Sequence, residues 1–226
     1  GANREKLGRT GRTVEEVVPP SVEIARRAAR GRALVALDVG PTGQLLEPTG
    51  TLRFEEAVDI FAQTVRAGVQ AGADLILIET MTDLQEARAA LLAAKENSSL
   101  PVIVTMTYEE RGRTFLGCDP ASAALTLEGM GADAIGVNCS LGPREMPPLV
   151  RELTRWSTLP IAIKPNAGLP DPGGAGYDIT AEEFAGSMAE LTGLGVKLYG
   201  GCCGATPEYI ALLREKLAGC TIVQVP

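Results

Sequence analysis

The sequence contains no histidine at all. This absence excludes Ser-His and Cys-His nucleophile pairs, an imidazole proton shuttle and every histidine metal ligand. A metal bound by this chain must therefore rest on cysteine, carboxylate or amide groups, and thiolate ligands favour zinc over magnesium or calcium.

Positive charge and long apolar runs are also scarce. The net charge is −7 and only 4% of the 226 residues are aromatic, with no basic stripe, so we expect no nucleic-acid partner. The longest apolar runs are strand-sized and the first residues lack a signal core, so we expect no membrane association. Five cysteines without framework spacing fit a reducing compartment, and a cytoplasmic protein is predicted.

Short β-rich runs alternate with longer helical patterns, which is typical of repeated βα units in one α/β domain over residues 1–226. The predicted strands are 33–37, 75–78, 101–105, 134–137, 160–164 and 196–199. The predicted helices are 54–72, 83–94, 122–130, 145–155, 181–193 and 207–217. Gly-Ala-Asp at 72–74 and again at 131–133 is expected to end a helix and lead into the next strand.

Two architectures fit this pattern, an open doubly wound sheet and a closed (β/α)8 TIM barrel. Polar residues collect at the carboxyl ends of the predicted strands, and only a barrel brings such residues to one mouth. The barrel is therefore preferred, and because no nucleotide-binding glycine motif follows any strand, we expect no nucleotide site. Only six of its eight strands are predicted, and residues 1–6 resemble the tail of a strand or its exit loop. We therefore expect the first strand, the first helix and most of the second strand to lie upstream of this chain.

Three thiols follow two of these strands. Cys139 closes Ala-Ile-Gly-Val-Asn-Cys, and Cys202 and Cys203 close Val-Lys-Leu-Tyr-Gly-Gly-Cys-Cys. Adjacent cysteines rarely bridge to each other, but both can bind one soft cation. Three thiolates leave one coordination position of zinc open, which suits catalysis or substrate capture, and the alternative is three small buried apolar side chains. Cys118 and Cys220 lack a neighbouring ligand motif.

Several stretches carry a family resemblance: Leu-Ile-Glu-Thr-Met at 77–81, Gly-Val-Asn-Cys-Ser-Leu-Gly-Pro at 136–143, Lys-Pro-Asn-Ala-Gly-Leu-Pro at 164–170 and Gly-Gly-Cys-Cys-Gly-Ala-Thr-Pro at 200–207. Nearly end to end, the chain resembles the homocysteine methyltransferase family and, within it, the homocysteine-binding domain of cobalamin-dependent methionine synthases. The resemblance implies a zinc-bearing barrel that activates the homocysteine thiol and receives a methyl group from methylcobalamin on another domain.

The resemblance also implies roles for two further residues. Glu79 would hold the substrate ammonium, although from position alone a carboxylate paired with an arginine or an amide is equally consistent. Asn166 would contact substrate or zinc, whereas a bare Pro-Asn-Ala-Gly loop favours turn formation. The implied partners are homocysteine and cobalamin-binding and folate-binding domains or subunits, with further sequence downstream. Betaine or S-methylmethionine as donor, and a non-catalytic zinc or amino-acid binding module, are the alternatives.

Overall fold

A computed structural model describes residues 1–170, 173 and 176–221. In these residues six strands form a sheet in the order in which they occur along the chain. The strands are β1 (Ala36–Val39), β2 (Leu75–Met81), β3 (Val102–Met106), β4 (Ala134–Asn138), β5 (Ile161–Lys164) and β6 (Val196–Tyr199). Each predicted strand is present within about three residues of its expected bounds.

Helices separate the strands. They are α1 (Arg4–Leu7), α2 (Val14–Ala29), α3 (Phe54–Gln70), α4 (Leu84–Asn97), α5 (Pro120–Gly129), α6 (Met146–Trp156), α7 (Ala181–Glu190) and α8 (Pro207–Ala218). Short 3-10 turns occupy Gly8–Thr10, Pro143–Glu145 and Leu191–Leu194. The six predicted helices are all present, and the predicted α/β alternation is confirmed. No helix in the described part of the chain is both long and apolar enough to cross a membrane.

The chain divides into two compact units. The first consists of Gly1–Val104 and Gly129–Asp133, and the second of Thr105–Glu128 and Ala134–Pro226. In the first unit, β1 and β2 pair in parallel from Ala36↔Leu75 to Val39↔Ile78. Helix α3 packs against α2 and α4, with an apolar face that includes Ile60, Phe61 and Val65.

Both Gly-Ala-Asp junctions use the same hydrogen bonds. Gly72 and Gly131 adopt positive φ angles of 90° and 87°, which glycine allows without steric cost. The Asp74 carboxylate accepts the Val35 N–H at 2.7 Å, and the Asp133 carboxylate accepts the Val102 N–H at 2.8 Å. The predicted junctions are confirmed, and each aspartate bonds to a backbone N–H at or just before the start of the preceding strand.

The beginning of the chain differs from the prediction. Arg4–Leu7 is helical, capped by the Asn3 side chain, which accepts the Lys6 N–H at 3.2 Å. The expected strand tail or exit loop was therefore wrong for the second half of residues 1–6. Helix α2 was not predicted because Pro19 and Pro20 lie inside it, and proline usually breaks a helix interior.

In the second unit, β4, β5 and β6 pair in parallel, with Ile135↔Ile161 and Asn138↔Lys164 in register. Thr180 is the N-cap residue of helix α7 and forms a capping box with Glu183. Helix α7 packs against α8. Since β4, β5 and β6 are parallel, their carboxyl ends lie on one side of this unit, and the cysteines follow those ends.

Candidate metal centre

The three predicted cysteines converge in the second unit. The Cys139 and Cys203 sulfurs lie 3.7 Å apart, the Cys202 and Cys203 sulfurs lie 4.0 Å apart, and all three lie within 4.8 Å of one another. Zinc–sulfur bonds of about 2.3 Å in a tetrahedron place the sulfurs about 3.8 Å apart. The spacing therefore fits three ligands of one tetrahedral zinc ion, and it is far too long for a disulfide.

Cys139 reaches this position through an unusual backbone. It follows the last residue of β4, and both Cys139 and Ser140 have left-handed φ angles, 63° and 61°. Residues other than glycine rarely adopt this region, which costs about 1–2 kcal/mol each. The Cys139 N–H donates to the Lys164 carbonyl at 3.1 Å, and the Leu141 N–H donates to the Cys139 carbonyl at 2.7 Å. These bonds hold the turn that carries the sulfur.

The turn that carries Cys202 and Cys203 is bonded to the segment after β5. The Cys202 N–H donates to the Pro165 carbonyl at 2.8 Å, and the Ala167 N–H donates to the Cys203 carbonyl at 2.9 Å. Asn166, only 5% exposed, accepts the Cys203 N–H on its side-chain oxygen at 3.1 Å. Asn166 thus lies beside the cysteines, with its amide oxygen bonded to the turn. Its substrate or zinc contact stays a prediction.

A buried amide lies behind the cysteines. Asn138, the last residue of β4, is 0% exposed and accepts the Thr105 hydroxyl proton on its side-chain oxygen at 2.8 Å. Its side-chain nitrogen lies 3.8 Å from the Cys202 sulfur, and the Thr107 hydroxyl donates to its backbone carbonyl at 3.0 Å. Asn138, Thr105 and Thr107 were not assigned to the site from sequence. The position of Asn138 directly before Cys139 was the available signal.

The thiols influence one another's ionisation. The pKa of Cys139 is lowered, chiefly because the Cys202 side chain donates a hydrogen bond to its sulfur. The pKa of Cys202 is raised for the reciprocal reason and then by burial. The two shifts have opposite directions, so Cys139 ionises more readily than Cys202, and a bound dication would stabilise additional thiolates beside it.

Tyr177 lies against the turn at Gly204. A Cβ atom at Gly204 would lie 2.2 Å from Cδ2 of the Tyr177 ring, so the ring occupies the space that a side chain would need. An antiparallel bridge joins Pro170 to Tyr177, and the Asp178 N–H donates to the Leu169 carbonyl at 3.1 Å. The pKa of the Tyr177 hydroxyl is raised by loss of hydration and then by the Cys203 thiol. Sequence reasoning missed Tyr177, which has no local motif.

Glu79 belongs to the other unit. It is half-buried on β2 and precedes Thr80, which has a left-handed φ of 61°. Its binding of the substrate ammonium stays a prediction. Cys118 donates to the Asp119 carbonyl and Cys220 to the Lys216 carbonyl, each at 3.3 Å, and neither is part of the cysteine cluster.

Comparison with known proteins decides the family, because the homocysteine S-methyltransferase family profile matches residues 1–217. The chain belongs to the homocysteine S-methyltransferase family. It is 34% identical to a methionine synthase of Mycobacterium leprae, over 83% of this chain and 16% of that protein. It is 33% identical to a methionine synthase of Mycobacterium tuberculosis, over 94% of this chain and 19% of that protein. The chain therefore spans less than a fifth of the length of these two relatives.

Solved structures agree on the architecture. The homocysteine methyltransferase MmuM from Escherichia coli, in its oxidised form, superposes with a TM-score of 0.79 at 22% identity, covering 95% of this chain and 76% of that one. At this identity the similarity shows the fold alone, and it confirms the predicted barrel class. Since the family is one of methyltransferases, the prediction of a methyltransferase is also confirmed at the level of the family.

Proposed function

We propose that this chain is the zinc-dependent, homocysteine-activating part of a methionine-forming methyltransferase. The observation that carries the proposal is the spacing of the three sulfurs, 3.7 and 4.0 Å for the two measured pairs, in a chain of the homocysteine S-methyltransferase family. Cys139, Cys202 and Cys203 would hold the metal, and their number leaves one position of a tetrahedral ion for a substrate sulfur.

The chemistry required is the conversion of a thiol into a nucleophile. A thiol with an ordinary pKa is mostly protonated at neutral pH, and only the thiolate attacks carbon efficiently. When bound, zinc would act as a Lewis acid that keeps the homocysteine sulfur as a thiolate. The three cysteine thiolates contribute negative charge, which keeps that sulfur electron-rich. No imidazole base is required of the chain, in agreement with its lack of histidine.

Other residues of the chain would bind and orient the substrate. We propose that the Glu79 carboxylate holds the homocysteine ammonium and that Asn166 contacts the substrate or the metal. The Asn166 side-chain oxygen already accepts the Cys203 N–H, so a contact with a ligand would use its nitrogen or the second lone pair of that oxygen, or would replace that bond.

The methyl donor is proposed to be methylcobalamin on another domain or subunit, with a folate-binding domain as a further partner. The sulfur–carbon bond forms as the methyl–donor bond breaks, and the bonding electron pair stays with the donor. This assignment is supported by the resemblance of the 164–170 stretch and by relatives that are methionine synthases several times longer than this chain.

The zinc site is tested by replacing each cysteine with serine. Cys139→Ser, Cys202→Ser and Cys203→Ser should each release most of the bound zinc, because the metal would lose one of its three thiolates. Cys118→Ser and Cys220→Ser are matched controls and should keep it. The measurement is bound zinc per chain after dialysis, and full zinc retention in the three site variants would contradict the proposal.

The donor is tested by supplying homocysteine with methylcobalamin, betaine or S-methylmethionine in parallel and measuring methionine. Methionine formed from methylcobalamin alone is the expected result. Transfer from either of the other donors instead would reassign the donor. Homocysteine bound at the metal with no transfer from any donor would support a non-catalytic binding module.

A further inference from the structure

The buried amide of Asn138 has no assigned role in the proposed chemistry. It lies at the end of β4 between the Thr105 hydroxyl and the Cys202 sulfur, and both Asn138 and Thr105 are 0% exposed. Burying an amide and a hydroxyl is costly unless both are hydrogen-bonded. Each of these two groups has a partner here, so the pair forms a series of hydrogen bonds that ends at the Cys202 sulfur.

The acceptors in this series of hydrogen bonds determine which group donates in each bond. The Thr105 hydroxyl lies 2.8 Å from the Asn138 side-chain oxygen and donates to it, which leaves the Asn138 nitrogen facing Cys202. The reversed amide would bring an oxygen lone pair toward a sulfur that must become a thiolate to bind metal. Electrostatics therefore favour the orientation in which an N–H group points at the sulfur.

The backbone of Asn138 is held as firmly as its side chain. The Thr107 hydroxyl donates to the Asn138 carbonyl at 3.0 Å, and Asn138 pairs with Lys164 of β5. Two threonines thus fix Asn138. Thr105, near the end of β3, bonds to its side chain, and Thr107, just after β3, bonds to its backbone. A rigid donor of this kind can select one position for the sulfur it contacts.

A donor at this position matters because three thiolates exceed the charge of one zinc ion by a single negative charge. Hydrogen bonds from buried groups to metal-bound ligands disperse such charge and orient the ligand, and their removal typically costs about 10–100-fold in metal affinity. At 3.8 Å the nitrogen–sulfur contact is long but lies within the range of hydrogen bonds to sulfur.

We propose that Asn138 is a positioning residue that donates an N–H to the Cys202 sulfur and, oriented by Thr105, sets the direction and charge of that ligand. The inference rests on the proposed function, since it takes the three cysteines to be zinc ligands. It assigns to the Asn-Cys pair at 138–139 two different tasks, because Cys139 supplies one ligand while Asn138 supports another.

The test compares Asn138→Leu, which keeps the approximate volume without hydrogen-bonding groups, with Thr105→Val and Thr105→Ser. Thr192→Val is the matched control, since Thr192 is a buried threonine of the same unit that donates to the Ala189 carbonyl at 2.7 Å. Zinc affinity is measured by competition with a chromophoric chelator. Cobalt(II) is then bound in place of zinc, and the sulfur-to-cobalt charge-transfer absorption is recorded.

Asn138→Leu should lose about 10–100-fold in zinc affinity and shift the charge-transfer band to lower energy, because its sulfur loses a stabilising donor. Thr105→Val should show a smaller change of the same sign, whereas Thr105→Ser and Thr192→Val should match the unaltered chain. If Asn138→Leu does not fold, the difference in zinc affinity and charge-transfer band between Thr105→Val and Thr105→Ser tests the role of Asn138.

The outcomes separate the two proposals. An unaltered band and affinity in both Asn138→Leu and Thr105→Val would overturn the role of Asn138 while leaving the zinc site intact. Failure of the unaltered chain to bind zinc or cobalt would overturn the proposed metal site itself.

Discussion

Gly204 allows the structure of the cysteine turn to be tested directly. It follows Cys203, its φ is +79°, and a Cβ there would lie 2.2 Å and 2.6 Å from the Cδ2 and Cγ atoms of Tyr177. In Gly204→Ala the left-handed backbone costs about 1–2 kcal/mol, with or without metal. Overlap with a ring typically costs a further 1–3 kcal/mol or so. The first cost lowers stability, whereas the second displaces either Tyr177 or the Cys203 turn.

The overlap should therefore appear in zinc affinity. If the overlap displaces the Cys203 turn, its cost of about 1–3 kcal/mol corresponds to a loss of about fivefold to 150-fold in zinc affinity. Gly117→Ala is the matched control, because Gly117 has a φ of +87° and no described atom outside its neighbours lies within 4 Å of its added Cβ. Both variants should unfold at a lower temperature, and only Gly204→Ala should bind zinc more weakly in a chelator competition.

A double variant identifies the source of the effect. Removing the ring should relieve the overlap, so Gly204→Ala combined with Tyr177→Ala should bind zinc as tightly as Tyr177→Ala alone. Equal zinc affinity of Gly204→Ala and Gly117→Ala would refute the reasoning, because it would mean that Tyr177 moves away without any effect on the turn.

Four further substitutions test the scaffold and the substrate site. Gly136→Ala places a Cβ 1.7 Å from a backbone oxygen of β5 and should lower the free energy of unfolding in urea by about 3 kcal/mol, whereas Gly186→Ala, in an open helical position, should raise it by about 0.5–1 kcal/mol. Glu86 accepts two hydrogen bonds from Thr42, and burial raises its pKa. Above the ordinary carboxyl pKa the folded state therefore binds more protons than the unfolded state. The free energy of unfolding should fall as the pH rises through this window. Glu86→Gln should remove that slope and be at least as stable as the unaltered chain at neutral pH, and a lower stability there would contradict the burial argument. Glu79→Gln should weaken homocysteine binding about 10–100-fold in calorimetry with zinc content unchanged, and loss of zinc with normal binding would make Glu79 a metal-supporting residue.

Local patterns were sufficient to predict most of the fold. The six strands are short apolar runs, and the Gly-Ala-Asp junctions mark the change from helix to strand because glycine takes the left-handed position and aspartate bonds to the preceding strand. Helix α2 was missed although Thr13 and Glu16 form a capping box and its buried valines recur every four residues. In this helix tertiary burial outweighs the intrinsic cost of two prolines.

The candidate site was also predictable only where local sequence determines it. The convergence of the thiols was predictable because adjacent cysteines after a strand have few other uses, whereas the bond from the Cys203 N–H to Asn166 was not predicted. The bond from Thr105 to Asn138 was not predictable. It depends on two side chains 33 positions apart in the sequence that meet only after folding.

Cys139 and Ser140 show why the turn itself escapes sequence analysis. Glycine would adopt the left-handed conformation at little cost, but a glycine at 139 would supply no sulfur. The chain therefore places a strained residue at the proposed ligand position, and the bonds from the Cys139 N–H to the Lys164 carbonyl and from the Leu141 N–H to the Cys139 carbonyl hold it there. Since each bond contributes about 0.5–1.5 kcal/mol, the two together offset much of the roughly 2–4 kcal/mol that the two left-handed residues cost. Strain of this kind is retained where a side chain has to point in one direction, which is what a metal ligand requires.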